Sequence, residues 1–123
     1  VRRANPASVM MQYSLLDRRP EESCLQFLAE NGVGVLARGS LAKGLLAGKP
    51  AAEFLEYSTA DVRRAAEAVA ARSTKTRSPA ATALAYALHH PAVAASVVGI
   101  RTPNQLREAL RAGTAPVLTA GEW

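Results

Sequence analysis

The 123 residues carry a formal net charge of +5, are 49% apolar and only 5% aromatic. This length suits one ordinary domain with its own core, and the apolar fraction excludes a disordered chain. No stretch is apolar for the length of a membrane span, and Val1-Arg2-Arg3 lacks the apolar run of a signal peptide, so a cytoplasmic protein is expected.

With alanine abundant and large side chains few, the core is expected to rely on close approach of helices and strands. The basic balance fits an anionic ligand, a nucleic-acid surface or a soluble face, and composition does not choose among them. The lone Cys24 makes no internal disulfide and, on a helix, is assigned a structural role. Residues 1–7 have no initiator methionine, and residues 118–123 stop as a new capping signal appears, so the chain reads as a fragment.

Ser8-Val9-Met10-Met11-Gln12 follows Pro6 and predicts a short buried strand, left through a loop at Tyr13-Ser14-Leu15-Leu16-Asp17. Pro20 suits a first helical turn, and Glu21 and Glu22 complement the positive end of the helix dipole. Cys24, Leu25, Phe27 and Leu28 form the apolar face of one helix, which Asn31-Gly32 ends. The stretch from 33 to 49 then starts as a strand and turns abruptly into glycine, serine and lysine. Strand, helix, strand with short joints predicts a parallel pair.

From residue 39 to 57 only a turn around 41–46 is expected, and a connection this long inside a compact domain is usually a binding loop. Ser58-Thr59-Ala60-Asp61 starts an amphipathic helix carrying Val62, Ala65, Ala66 and Val69, and residues 73–77 form a polar, basic connection. Ser78-Pro79 opens a further helix, with Ala81, Leu84, Ala85 and Leu88 facing inward until His89-His90-Pro91 stops it. Residues 94–100 read as a strand covered on both faces. Thr102-Pro103-Asn104-Gln105 is a helix start with a capping box, Leu106, Ala109 and Leu110 pack, and Gly113 ends that helix. The order predicts one undivided, parallel α/β unit over residues 1–123.

Two familiar phosphate motifs fail here. Gly32 and Gly34 precede their strand, whereas a Rossmann turn follows one, and Gly44-Leu45-Leu46-Ala47-Gly48-Lys49 is one residue short of a P-loop with Pro50 at the magnesium ligand. His89 and His90 are adjacent, so a helix points them apart and no shared metal is expected. Tyr86, mid-helix, is assigned to packing. The basic residues Arg63, Arg64, Arg72, Lys75 and Arg77 read as a solvated face, without the stacking aromatics of a nucleic-acid binder. What remains is the 39–49 loop, whose glycines and charges Arg38, Lys43 and Lys49 suit an anion, and Arg101, Thr102, Gln105 and Glu108, which open a helix after a parallel strand where phosphates are received.

Three segments in register, Gln12-Tyr13-Ser14-Leu15-Leu16-Asp17-Arg18, residues 32–49, and Val97-Val98-Gly99-Ile100-Arg101-Thr102-Pro103-Asn104-Gln105-Leu106, resemble the C-terminal half of an aldo-keto reductase. The resemblance implies strands six to eight of a (β/α)8 TIM barrel, an α/β fold, with NADP(H) at the strand ends and a small-molecule aldehyde or ketone as substrate of the full-length parent. It implies that Gly39, Ser40, Leu41, Ala42 and Lys43 follow the pyrophosphate, with Lys49 a further phosphate contact. It implies that Gly99, Arg101, Gln105 and Glu108 hold the adenosine end, with Arg101 near the 2′-phosphate. Met10 stands where the family commonly has a glutamine for the nicotinamide carboxamide. Arg38 replaces the aromatic that stacks on the nicotinamide, and Ala109 replaces an asparagine. Nothing matches the family's catalytic Asp, Tyr, Lys and His, so no catalytic residue is assigned and the fragment alone is expected to be inactive. The alternative expectation is a non-catalytic nucleotide sensor or regulatory subunit.

Overall fold

A computed structural model describes residues 4–114 and 118–121. Its elements run β1 (Ser8–Gln12), α1 (Arg19–Ser23), α2 (Leu25–Glu30), β2 (Gly34–Arg38), a 3-10 segment (Ala42–Ala47), α3 (Thr59–Ala71), α4 (Pro79–His89), β3 (Val93–Val97) and α5 (Pro103–Thr114). The strands form one parallel sheet in the order β1-β2-β3. Gln12 lies opposite Arg38, and Arg38 opposite Val97, so these three residues form one row across the C-terminal edge of the sheet. A register irregularity between Val35 and Leu36 lets β3 reach that row.

Alternation along the strands sorts side chains to two faces. Val9, Met11, Val35 and Ala37 meet Leu25, Leu28, Tyr86 and Ala87 of the helices in the main core. A second core packs the 3-10 segment and Phe54 against α3 and α4 through Leu45, Leu46, Val62 and Ala83. The opposite sheet face, which carries Met10 and Ala95, is open: Met10 is 56% exposed. The expected cover of the 94–100 strand on both faces is therefore corrected. All the helix packing falls on one side, and β3 has only Val93 buried.

The capping signals act as the sequence indicates. The Ser58 and Asp61 side chains form a reciprocal box at the start of α3, and Ser58 Oγ accepts from the Asp61 N–H at 3.3 Å. Ser78 Oγ accepts from the Ala81 N–H at 3.2 Å at the start of α4. Gly32 takes φ +68 after α2, as a left-handed helix end requires.

Several expectations are corrected. The single helix expected after Pro20 is two short ones, broken where Cys24 leaves helical geometry at φ −146. Phe27 and Leu88, assigned to inward faces, are exposed, as are Leu106 and Leu110 of α5. The strand ends at Val97, so Gly99 and Ile100 lie beyond it, and α5 runs through Gly113 to Thr114. Arg77 is not on a solvated face but buried, with Nη2 donating to the Arg72 carbonyl at 2.8 Å. The end of the expected C-terminal capping signal, at 122–123, lies outside the described residues. Among the described residues no helix is long and apolar enough to cross a membrane, and no His, Cys, Asp and Glu cluster suits a metal.

A candidate anion-binding cleft at the strand ends

Chain leaving β2 at Arg38 turns sharply. Gly39 has φ +70, and Ala42, Lys43 and Gly44 follow in the left-handed region at φ 47, 58 and 94. Two of those three carry side chains, and each L residue held there costs roughly 1–2 kcal/mol. Burial opposes that cost: the Ala42 methyl is fully enclosed in the second core with Leu45, Leu46 and Phe54. The Ala42 and Gly44 N–H groups donate to the Gly39 and Leu41 carbonyls at 2.8 Å each, which ties this backbone into tight turns, and strain of this kind collects at functional sites. The sequence reading did not anticipate left-handed backbone at Ala42 and Lys43; the density of glycine around them was the available signal.

Ser40 is buried, and its Oγ lies 2.8 Å from Ser96 Oγ, which ties the loop to β3. Ser96 carried no motif and was missed. Lys49 returns over the loop: its Nζ donates to the Lys43 carbonyl at 2.8 Å. Its stem lies against Gly44, where an added Cβ would sit 2.9 Å from Lys49 Cδ.

The other wall comes from the segment after β3. Gln105 Oε1 accepts from the Arg101 N–H at 2.8 Å while the Gln105 N–H donates to Thr102 Oγ1 at 3.2 Å. The helix start thereby pins the backbone that presents the Arg101 side chain. Between the two walls is a cleft of about 360 Å³, floored by Ala80 and Leu84 of α4. Gly39, Ser40, Leu41, Lys43 and Lys49 line it from the loop side, and Gly99, Arg101, Gln105 and Glu108 from the α5 side. Three cations, Lys43, Lys49 and Arg101, thus share one opening with a single carboxylate, Glu108.

Of the residues singled out from sequence for the anion or the cofactor, Arg38, Ala42 and Thr102 stand outside that cleft. Ala42 faces the core. Arg38 is exposed at the rim, where its Nη1 donates to Gln12 Oε1 at 3.2 Å. Behind Gln12, a network runs into the protein. Gln12 Nε2 donates to Asp17 Oδ2 at 2.9 Å, and Arg19 donates to both Asp17 oxygens at 2.7 and 2.8 Å. Those bonds from Arg19 hold the Asp17 carboxyl below the usual carboxylate range against the opposing effect of burial.

A second polar node lies deeper. Tyr13 and Tyr86 both donate to Glu21 Oε1 at 2.9 Å, and Arg18 grips the same carboxylate at 2.6 Å. Burial pushes the Glu21 carboxyl up, but the donors around it outweigh burial and hold it below its ordinary value. Burial, then the bond to Glu21, pushes the Tyr86 hydroxyl up to about 12, and Tyr13 is raised further still. Both hydroxyls therefore stay protonated donors. Tyr86 is a packing residue, as expected, with an added polar bond.

The aldo/keto reductase family profile matches residues 2–123. The Bacillus subtilis (strain 168) oxidoreductase YqkF is 42% identical over 134 aligned positions, covering 99% of this chain and 42% of YqkF. The holo form of the aldo-keto reductase AKR11C1 from Bacillus halodurans superposes with a TM-score of 0.85 at 37% identity, over 98% of this chain and 41% of that one. The glycerol dehydrogenase AKR11B4 from Gluconobacter oxydans, at 24% identity and a TM-score of 0.75, shares the fold. The chain thus spans about two-fifths of these relatives, and its three parallel strands form part of a TIM barrel. The strand order, the open inner face and these matches agree: the chain belongs to the aldo/keto reductase family.

Proposed function

We propose that this chain is the cofactor-gripping part of an NADP-dependent aldo-keto reductase, and that the complete barrel reduces an aldehyde or ketone. The observation that carries the reading is the convergence of Lys43, Lys49 and Arg101, from distant parts of the chain, on one cleft at the C-terminal ends of parallel strands. In a barrel of this kind the strand ends are where ligands bind. A cavity of about 360 Å³ falls in the range of small-molecule sites.

The residues present fit a dinucleotide. Lys43 and Lys49 supply charge to a pyrophosphate lying along the loop, and the Arg101 guanidinium suits a phosphomonoester such as the 2′-phosphate of NADP(H). Gln105 and Glu108 border the adenosine end, and Gly99 lets the backbone come close. When bound, NADP(H) supplies the hydride. The chain's own part is grip and orientation, with the proton-donating residues assigned to the portion of the barrel outside these residues.

The test is steady NADPH oxidation by the complete protein with a panel of aldehydes and ketones. Turnover that requires NADPH and a carbonyl compound supports the reading, and the chain of 123 residues alone is expected to show none. Binding of NADPH without turnover of any carbonyl would favour the sensor alternative.

A further inference from the structure

We propose that Gln12, oriented by Asp17, is a positioning residue that holds the Arg38 guanidinium at the rim of the cleft, where Arg38 meets the nicotinamide end of the cofactor. The inference rests on the cofactor reading above and adds to it the device that aims Arg38. Its basis is a chain of bonds whose polarity admits one arrangement. The Asp17 carboxylate is buried and accepts from Arg19 on both oxygens. An ionised carboxylate only accepts, so the Gln12 amide must turn its NH2 toward Asp17, and the 2.9 Å bond from Nε2 satisfies that demand. The Gln12 carbonyl is then fixed toward β2, where a guanidinium, which only donates, takes it at 3.2 Å. Turning the amide over would set a donor against a donor and an acceptor against an acceptor.

Location gives the arrangement its use. Gln12 and Arg38 are register partners at the last position of β1 and β2. The Gln12 Cγ lies where an added Cβ on Gly39 would be only 3.3 Å away, so the pair borders the first residue of the cleft loop. With Lys43, Lys49 and Arg101 committed to phosphates along the cleft, the cofactor end that reaches Arg38 is the nicotinamide. A planar guanidinium can stack on that ring only if its direction is set, and an untethered arginine side chain samples many rotamers.

The experiment is equilibrium titration of the complete protein with NADPH and with adenosine 2′,5′-bisphosphate, which lacks the nicotinamide. Gln12→Leu and Arg38→Ala are each expected to weaken NADPH binding about three- to tenfold, the magnitude of one ordinary net hydrogen bond. Both should leave the bisphosphate unchanged, and the double variant should lose no more than Arg38→Ala alone. Asp17→Asn, which frees the Gln12 amide to turn over, should move NADPH affinity in the same direction. NADPH affinity unaltered in Gln12→Leu, additive losses in the double variant, or equal loss of both nucleotides would each overturn the proposal, the last by showing a general structural role. If the wild-type protein binds neither nucleotide, the cofactor reading itself fails and this inference falls with it.

Discussion

The stem of Lys49 lies across Gly44, close enough that a methyl group on Gly44 would meet Lys49 Cδ at 2.9 Å. The same lysine closes the loop by donating to the Lys43 carbonyl. Gly44→Ala should therefore displace Lys49 as well as strain a backbone at φ +94, with a stability loss of roughly 1–2 kcal/mol. Gly32→Ala is the matched control, because its φ is also positive but an added Cβ there meets nothing within 4 Å, and it lies at the far end of β2 from the cleft. Both variants should melt earlier, and only Gly44→Ala should also lose NADPH affinity. Equal NADPH affinity in the two variants would show that Lys49 has no part in the site.

Glu21 joins three segments, because α1 carries it, Tyr13 follows β1, and Tyr86 comes from the middle of α4. Replacing the carboxylate by an amide leaves the shape and removes the charge that the two hydroxyls and Arg18 share. Glu21→Gln is expected to lower unfolding free energy by about 1.5–3 kcal/mol, the range for hydrogen bonds to charged groups. Denaturant titration measures it. A change within a few tenths of a kcal/mol would show that the node contributes shape alone.

Acid should expose the same carboxylates. Asp17 and Glu21 both have folded-state values below their ordinary ones. Their contribution is therefore complete above the unfolded values of about 4, and is lost as pH falls through the lower folded values. Stability measured from pH 7 down to pH 2 should decline below about pH 4. The decline should be shallower in Glu21→Gln and in Asp17→Asn. An identical slope in wild type and both variants would refute the assignment.

In the proposed reading, Arg101 meets the phosphate that distinguishes NADPH from NADH. Its backbone is fixed by Gln105 while its side chain is exposed at the cleft. Arg101→Met keeps the length of the stem and removes the charge. Affinity for NADPH should fall about tenfold, the effect of losing a charge-assisted contact, with NADH nearly unmoved. A parallel drop for both nucleotides would place Arg101 elsewhere on the cofactor.

Much of this was legible in the residues. The caps at Ser58, Ser78 and Thr102, the stop at Gly32, and the turn from strand to loop at Arg38 and Gly39 are local chemistry, and the structure keeps them. Nine of the eleven residues singled out for the cofactor line one cleft, because the two segments that carry them, residues 39–49 and 99–108, meet at the same strand ends. The misses have long-range causes. A valine-rich run suggests burial of β3 on both faces, but among the described residues nothing covers the inner sheet face. Arg77 looked like a surface charge until its carbonyl partner on Arg72 was in view. Gln12 and Ser96 carried no motif, and only the pairing of neighbouring strands shows what each holds.

The central claim is that the cleft between the 39–49 loop and the start of α5 binds NADP(H). Fluorescence titration of NADPH onto the complete protein, beside a Lys43→Ala, Arg101→Ala double variant, tests it most directly. Neither side chain lies in the core, so the double variant should fold normally. The expected result is saturable binding by the wild type, weakened at least about tenfold by losing the two charges. Absence of saturable binding, or equal affinity in the double variant, would contradict the account.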